Sequence, residues 1–468
     1  MTRTVIYFST IVVGQLASLL LLPVVTKFLS PSAYGEYALV LATTGLIGTL
    51  GTAWIRNVGM RLFFDYLKIE RTRAFFWTVA ALQAVVMLVC LGGSYVVVGR
   101  ASALPLSLCA AAALSVLAGD FYALSLNTLR ASHRAMSFGL AEILAAFVRL
   151  AGTWLALLAG WRTPTMLFVF ATVSVAVAAL VAAPGLRRVL AGPVSFERPA
   201  VVELVRLGLP SIPLSIGGWI IALSDRTLLA WFLDLRAVGV YSAAYGLADR
   251  AVGGLASALF MTAWPAILSA WSHDPLAAPR TIARYLAAFV LLSTGPCVLL
   301  MLQHGFVLTL LTSRDYAAGS GVIPYVVASG WLGAVSTYLN RPLELTKRYG
   351  TLSAITLVAA GINLALNLWL IPRYGVDAAG FSTMCAFAAM AVLSGIFGQR
   401  IVRVPIPWSA VLLAGGATAA ATFVSYWVSQ PLTAIAAFVL SYFGIVAVYM
   451  RPGRFHARPA GSAVGSGG

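Results

Sequence analysis

Apolar runs of about 20 residues follow one another from one end of the chain to the other, each closed by a short cluster of Gly, Pro, Arg or Asp. A run of that length is what an α-helix needs to cross a bilayer. About fourteen spans are predicted, at 5–27, 38–60, 74–98, 103–127, 138–160, 164–184, 208–231, 239–265, 284–311, 321–342, 352–371, 378–399, 408–428 and 432–450. The first run continues from Val5 to Val25 without an A-x-A site. It is too long for a signal-peptide core and is expected to remain as the first span. Pro210 and Pro213 flank the start of the seventh span and are the candidate gating kink, Pro265 is expected to end the eighth, and Pro296 to interrupt the ninth.

One polar interruption is written twice. Phe28/Phe232, Leu29/Leu233, Ala33/Ala237, Gly35/Gly239 and Tyr37/Tyr241 match at a constant offset of 204 residues, and Gly14/Gly218 keep that offset upstream. The shared F-L-x-x-x-A-x-G-x-Y predicts the same helix–turn–helix in each half of the chain. The longest connection, 185–207, lies between the sixth and seventh spans and is the natural joint. Six spans per half is an even number, so both halves enter the membrane in the same sense. The repeat is then expected to be parallel, related by a pseudo-twofold axis along the membrane normal. The predicted organisation is an N-lobe at 1–184, a cytoplasmic linker at 185–207, a C-lobe at 208–400, two extra spans within 401–450, and a basic then Gly/Ser-rich disordered tail at 451–468.

Composition agrees with the pattern. The chain has 468 residues, 60% of them hydrophobic and 10% charged, with a mean hydropathy of +0.92. A soluble domain carries about 25% charged residues, so this composition belongs to a polytopic all-α membrane protein. The net charge of +17 is spread over short loops, which excludes a nucleic-acid surface and fits a positive-inside signal. With the N-terminus inside, 21 of the 31 basic residues fall in inner loops and 6 in outer ones, which predicts that both termini are cytoplasmic. Cys90, Cys109, Cys297 and Cys385 stand inside apolar runs at no metal-ligand spacing and are expected to be packing residues. No metal site is predicted.

The candidate chemistry is the set of ionisable residues inside spans, which cost about 2.5–3.5 kcal/mol each on insertion scales and usually face a cavity or one another. They are Arg56, Arg149, Arg226 and Arg250, with Asp120, Glu142, Asp225 and Asp249. Arg149 follows Glu142 by seven residues, which places both on one helix face. Asp225 and Arg226 are sequence neighbours, which do not face each other on a helix. They are expected to reach across to another helix, with Asp249-Arg250 as the candidate partner. No Gly-rich phosphate loop followed by Lys-Ser/Thr is present, so ATP-driven transport is not predicted. No loop is large enough to form a catalytic domain and no paired-carboxylate motif stands at a membrane face, so no catalytic residue is assigned and an enzyme is not expected.

The stretch 24–37 (VVTKFLSPSAYGEY) followed by Arg56 resembles the N-terminal signature of the polysaccharide biosynthesis family, the Wzx-type oligosaccharide flippases. Leu207-Gly208-Leu209-Pro210, Asp225-Arg226 and 238–245 (VGVYSAAY) are similar to that family's second-half signature. Asn363, Asn367 and 371–379 (IPRYGVDAA) resemble its N…N…P-x-x-G-x-x-G-A-A segment, with Asp377 where the family often has Gly. The resemblance implies the fold of the multidrug/oligosaccharidyl-lipid/polysaccharide exporter superfamily, two six-helix lobes around a central cleft with two extra C-terminal helices. It implies a polyprenyl-pyrophosphate-linked oligosaccharide as substrate, flipped in a bacterial inner membrane by alternating access for O-antigen, capsule or exopolysaccharide assembly. It further implies drive from a proton or sodium gradient or the membrane potential, no other cofactor, and a glycan polymerase and a chain-length regulator as partners beside membrane lipids. Within that reading Arg149 and Arg250 are expected to contact the phosphate and Arg56 and Arg226 to guard the inner and outer entrances. Asp120, Glu142, Asp225 and Asp249 are then expected to hold the arginines or bind the driving ion. The alternatives are an ion-coupled multidrug-type antiporter, a membrane enzyme of glycan assembly, and a scaffold for a glycan synthase.

Overall fold

The computed structural model describes residues 2–98, 105–190, 192–428 and 430–449; Arg100 and the predicted tail 451–468 lie outside these. The described residues form helices and no strand. Helices α1 (Thr2–Thr26), α2 (Pro31–Gly48), α3 (Trp54–Lys68), α4 (Thr72–Val98), α5 (Leu106–Ala131), α6 (Ala135–Leu158) and α7 (Pro164–Arg187) precede the short α8 (Arg198–Gly208). Then come α9 (Ile212–Phe232), α10 (Leu235–His273), α11 (Ala278–Leu302), α12 (His304–Leu311) and α13 (Val322–Leu339). Helices α14 (Arg341–Leu345), α15 (Tyr349–Tyr374), α16 (Val376–Ile401), α17 (Trp408–Tyr426) and α18 (Pro431–Tyr449) complete the order. Among the described residues thirteen helical segments are long and apolar enough to cross a membrane, and Val13–Thr26 of α1 is a shorter apolar helix beside them. The protein is a multi-pass membrane protein.

Several spans are longer than their hydropathy predicts. A π-helical turn, Thr49–Ala53, joins α2 to α3, so 31–68 forms one continuous segment. A 3₁₀ turn, Leu209–Ser211, likewise joins α8 to α9. Pro210 lies in that turn and Pro213 in the first turn of α9, where a missing N–H leaves no intrahelical bond unmade. Pro265 does not end its span. Helix α10 runs on to His273, because a membrane helix tolerates an interior proline. The expected ninth span, 284–311, is broken at Gln303 into α11 and the separate α12. The joint 185–207 is not an open linker, since α8 occupies its second half.

Contacts divide the chain into two compact units, Met1–Met261 with His304–Arg403 and Thr262–Gln303 with Val404–Gly468. In the second, α11 packs on α17 and α18. Tyr442 of α18 is fully buried and donates to the Leu291 carbonyl at 2.7 Å, its ring filling the space that Gly295 leaves. In the first unit, α1 packs on α6, α6 on α7, and α7 on α5. There too α9 packs on α15, α15 on α16, and α16 on α13.

The duplicated turns form as the repeat predicts, and they meet. Ser30 Oγ accepts from Ala33 N at 3.3 Å, capping α2; 204 residues on, Asp234 Oδ1 accepts from Ala237 N at 2.7 Å, capping α10. The contact between the two turns is reciprocal. A Cβ on Gly35 would strike the Leu235 carbonyl, and a Cβ on Gly239 would strike the Pro31 carbonyl. Pro31 and Leu235 are themselves 204 apart, so each copy offers the other the same surface. Tyr316, fully buried in a 3₁₀ turn (Arg314–Gly319), donates to the Leu29 carbonyl at 3.0 Å beside this contact.

Candidate functional site

Two of the four predicted arginines converge on α1 and the first duplicated turn. Arg250, from α10, donates from Nε to Ser18 Oγ of α1 and from Nη1 to the Gly246 carbonyl, both at 2.9 Å. Arg149, from α6, donates from Nη2 to the Tyr37 hydroxyl at 3.3 Å. Tyr34, buried in the same turn, lies within the electrostatic field of Arg149, Arg226 and Arg250 together. Among the described residues neither Arg149 nor Arg250 makes an ion pair; hydroxyls and a carbonyl hold them. Their charge is therefore not cancelled by a bonded carboxylate. Asp249 is exposed on α10 and lies in the field of Arg226 and Arg250.

Arg149 opens onto a cavity of about 330 Å³ whose lining includes Gly14, Gln15, Ser18, Glu142 and Ser174. Glu142 and Arg149 share it because seven residues bring two side chains back to one face of α6. Glu142 also lies in the field of Arg130 and beside Tyr122.

Arg226 is held differently. Its Nη1 stands 2.7 Å from Asp225 Oδ1 and 2.6 Å from the Ala222 carbonyl. The rule that neighbours do not face each other fails here because the long arginine side chain folds back one turn over Ala222 and meets its neighbour there. The pair also reaches across to α10, as expected, but onto tyrosines. Tyr241 donates to Asp225 Oδ2, and the guanidinium stacks 4.2 Å from the Tyr245 ring centroid and 5.2 Å from that of Tyr241. The side chains are 8% and 1% exposed, so this is a fully desolvated pair inside an aromatic wall.

Arg56 and Asp120 form a third group, apart from the first. Arg56 Nη1 donates to Asp120 Oδ1 at 2.8 Å, and Thr52 donates to Asp120 Oδ2 at 2.5 Å. Thr52 lies in the π turn, and π turns in helices recur at functional positions. The eight predicted ionisable residues thus fall into two arginines held by neutral groups with Glu142 and Asp249 near them, a buried lock and a partly buried bridge.

One cluster escaped the sequence. Arg341, at the end of the predicted tenth span, is 6% exposed at the head of α14. It donates from Nε to the Thr337 carbonyl at 2.8 Å, pairs with Glu344, and stacks 4.5 Å from the Phe260 ring centroid. Arg341 and Glu344 line a second cavity, of about 250 Å³, with Gly218, Ile221, Asn340 and Phe387. Elsewhere Asn363, Asn367 and Thr383 form a buried relay. Asn367 Nδ2 donates to Asn363 Oδ1 at 3.1 Å, and Asn363 Nδ2 to Thr383 Oγ1 at 3.4 Å. Among the described residues no three His, Cys, Asp or Glu side chains gather as a metal-binding group.

Known proteins fit this architecture. A solved structure of the lipid II flippase MurJ in an inward closed conformation superposes with a TM-score of 0.76, at 14% identity over 96% of this chain and 99% of that one. An inward-facing multidrug resistance transporter of the MATE family, in the MOP superfamily, gives a TM-score of 0.63 at 13% identity, over 83% and 95% of the two chains. The fold is therefore of the MurJ and MATE kind. A curated relative from Haloferax volcanii, "Probable low-salt glycan biosynthesis flippase Agl15", is 23% identical over 210 residues, a match that spans 43% of each chain. A family model described as "Polysaccharide biosynthesis protein" matches residues 1–271, more than half of the 468. The chain belongs to the polysaccharide biosynthesis protein family.

Proposed function

We propose that this protein is a flippase that carries a polyprenyl-pyrophosphate-linked oligosaccharide from the cytoplasmic to the outer leaflet of a bacterial inner membrane, for assembly of a cell-surface polysaccharide. The observation that carries the reading is the pair Arg149 and Arg250, cations on two different membrane helices, each hydrogen-bonded only to neutral groups. A diphosphate cannot enter hydrocarbon unaided, since each desolvated polar group costs several kcal/mol. Guanidinium groups replace its hydration with charge-assisted, often bidentate bonds, each worth about 1.5–3 kcal/mol. The polyprenyl tail needs no such help and stays in lipid.

In this reading the two lobes, 1–184 and 208–400, rock about the arginines in alternating access, with both termini cytoplasmic. The Arg56–Asp120 bridge serves the inner entrance, and the Asp225–Arg226 lock steadies the outer one. Glu142 and Asp249 are the acids placed to answer the arginines when the site is empty, or to take up a driving proton or sodium ion. A glycan polymerase and a chain-length regulator would receive the product. The MATE-like fold favours a second reading, an ion-coupled multidrug antiporter, but unpaired arginines repel an organic cation.

The test is complementation of surface glycan with an Arg149→Gln, Arg250→Gln double variant, together with extraction of lipid-linked oligosaccharides. Glycan display should fall, with intact lipid-linked units accumulating on the inner leaflet. Full display by the double variant refutes the assignment.

A further inference from the structure

The two cavities are related by the repeat. Gly14 lines the first and Gly218 the second, and these glycines stand 204 residues apart. The first cavity lies among α1, α6 and α7; the second lies among α9, α15 and α16, with the α13–α14 corner added. Their chemistry has diverged. The first holds Arg149, which makes no ion pair among the described residues, next to Ser18, the partner of Arg250. In the second the cation is cancelled, because Arg341 pairs with Glu344. What the second cavity offers instead is hydrogen-bonding capacity without net charge. Asn340 is 8% exposed and its Oδ1 is buried with no hydrogen-bond partner. Glu344 accepts, Arg341 donates, and Phe387, Ile221 and Leu214 supply the apolar wall.

We propose that this second cavity is the sugar subsite, taking one neutral pyranose ring of the cargo. A pyranose presents hydroxyls around its edge and C–H faces above and below. Amide, carboxylate and guanidinium groups on one side of a cavity and an aromatic and aliphatic wall on the other match both. The volume, about 250 Å³, holds roughly eight waters at ~30 Å³ each, or a single ring in their place. The cargo's diphosphate and its sugar are thus read by two copies of one ancestral cavity. This inference rests on the reading of the cargo as a lipid-linked glycan.

The glycines supply the test, since a Cβ at Gly14 or Gly218 meets no atom within 4 Å. Gly218→Leu fills the sugar cavity and Gly14→Leu the diphosphate cavity, each without a backbone clash. Binding to the purified full-length protein in nanodiscs would be measured for farnesyl pyrophosphate and for farnesyl pyrophosphate bearing one glucose, galactose or N-acetylglucosamine. The wild type should bind at least one glycosylated probe about 10-fold or more tighter than the bare one, as two or three added hydrogen bonds require. Gly218→Leu and Asn340→Leu should each erase that preference and leave bare-probe affinity unchanged; Gly14→Leu should weaken all probes together. Unfolding midpoints taken in parallel identify a variant that has merely lost its fold, and Asn340→Leu and Gly218→Leu stand in for each other in that case. No preference in the wild type, or a preference that survives both variants, overturns the sugar subsite while the diphosphate reading stands. If no diphosphate probe binds the wild type at all, the proposed function itself fails.

Discussion

Alanine at Gly35 or Gly239 should be costly, equal at the two sites, and less than additive. A Cβ on Gly35 runs into the Leu235 carbonyl and a Cβ on Gly239 into the Pro31 carbonyl, so in both cases the obstacle is backbone, which cannot rotate aside. The helices must part by about the depth of a methyl group. Overpacking of that kind costs about 1–3 kcal/mol. The two clashes belong to one interface, and once the first methyl has parted the helices the second enters a gap already made. The double variant should therefore cost less than the sum of the singles by about 1 kcal/mol or more, where independent sites would add within about 0.5 kcal/mol. Unfolding free energies in mixed micelles for wild type, Gly35→Ala, Gly239→Ala and the double close the cycle. A neutral single, or strictly additive singles, would refute the reciprocal packing and with it the two-fold relation of the turns.

Two further outcomes follow from the ion pairs. Asp225→Ala strands the buried Arg226 cation and should cost about 3–5 kcal/mol, whereas Asp225→Ala with Arg226→Met should recover most of it; unfolding measurements of both check this, and a single variant within about 1 kcal/mol of wild type defeats it. Arg56→Gln and Asp120→Asn should each lower glycan display, and the double should be no worse than the poorer single because the two act as one bridge; a double that is worse by the product of the singles shows separate roles.

Spans were legible because the bilayer fixes their length and their apolar content together. The repeat was legible for a related reason: its glycines face each other and cannot be replaced without moving backbone. Less could be read where a side chain's path decides. The Asp225–Arg226 pairing depends on how a four-bond side chain folds over Ala222, which helical spacing does not encode. Arg341 stands at the very end of the predicted tenth span, and nothing in that position shows that it is buried against Phe260. The break at Gln303 was hidden because apolar residues run through it on both sides. Tyr37 and Tyr241 were recognised as one motif position, but not that one hydroxyl would orient a free arginine and the other a locked carboxylate.

The π turn at Thr49–Ala53 has a geometric effect on everything downstream of it. One surplus residue in an otherwise α-helical segment advances the azimuth of every later side chain by about 100°. The surface that α2 lays on α9, where Trp219 bonds the Ala42 carbonyl, is thereby decoupled from the direction in which α3 aims Arg56. Deleting a single residue inside the turn would leave the first surface docked and swing the guanidinium roughly a quarter-circle away from Asp120.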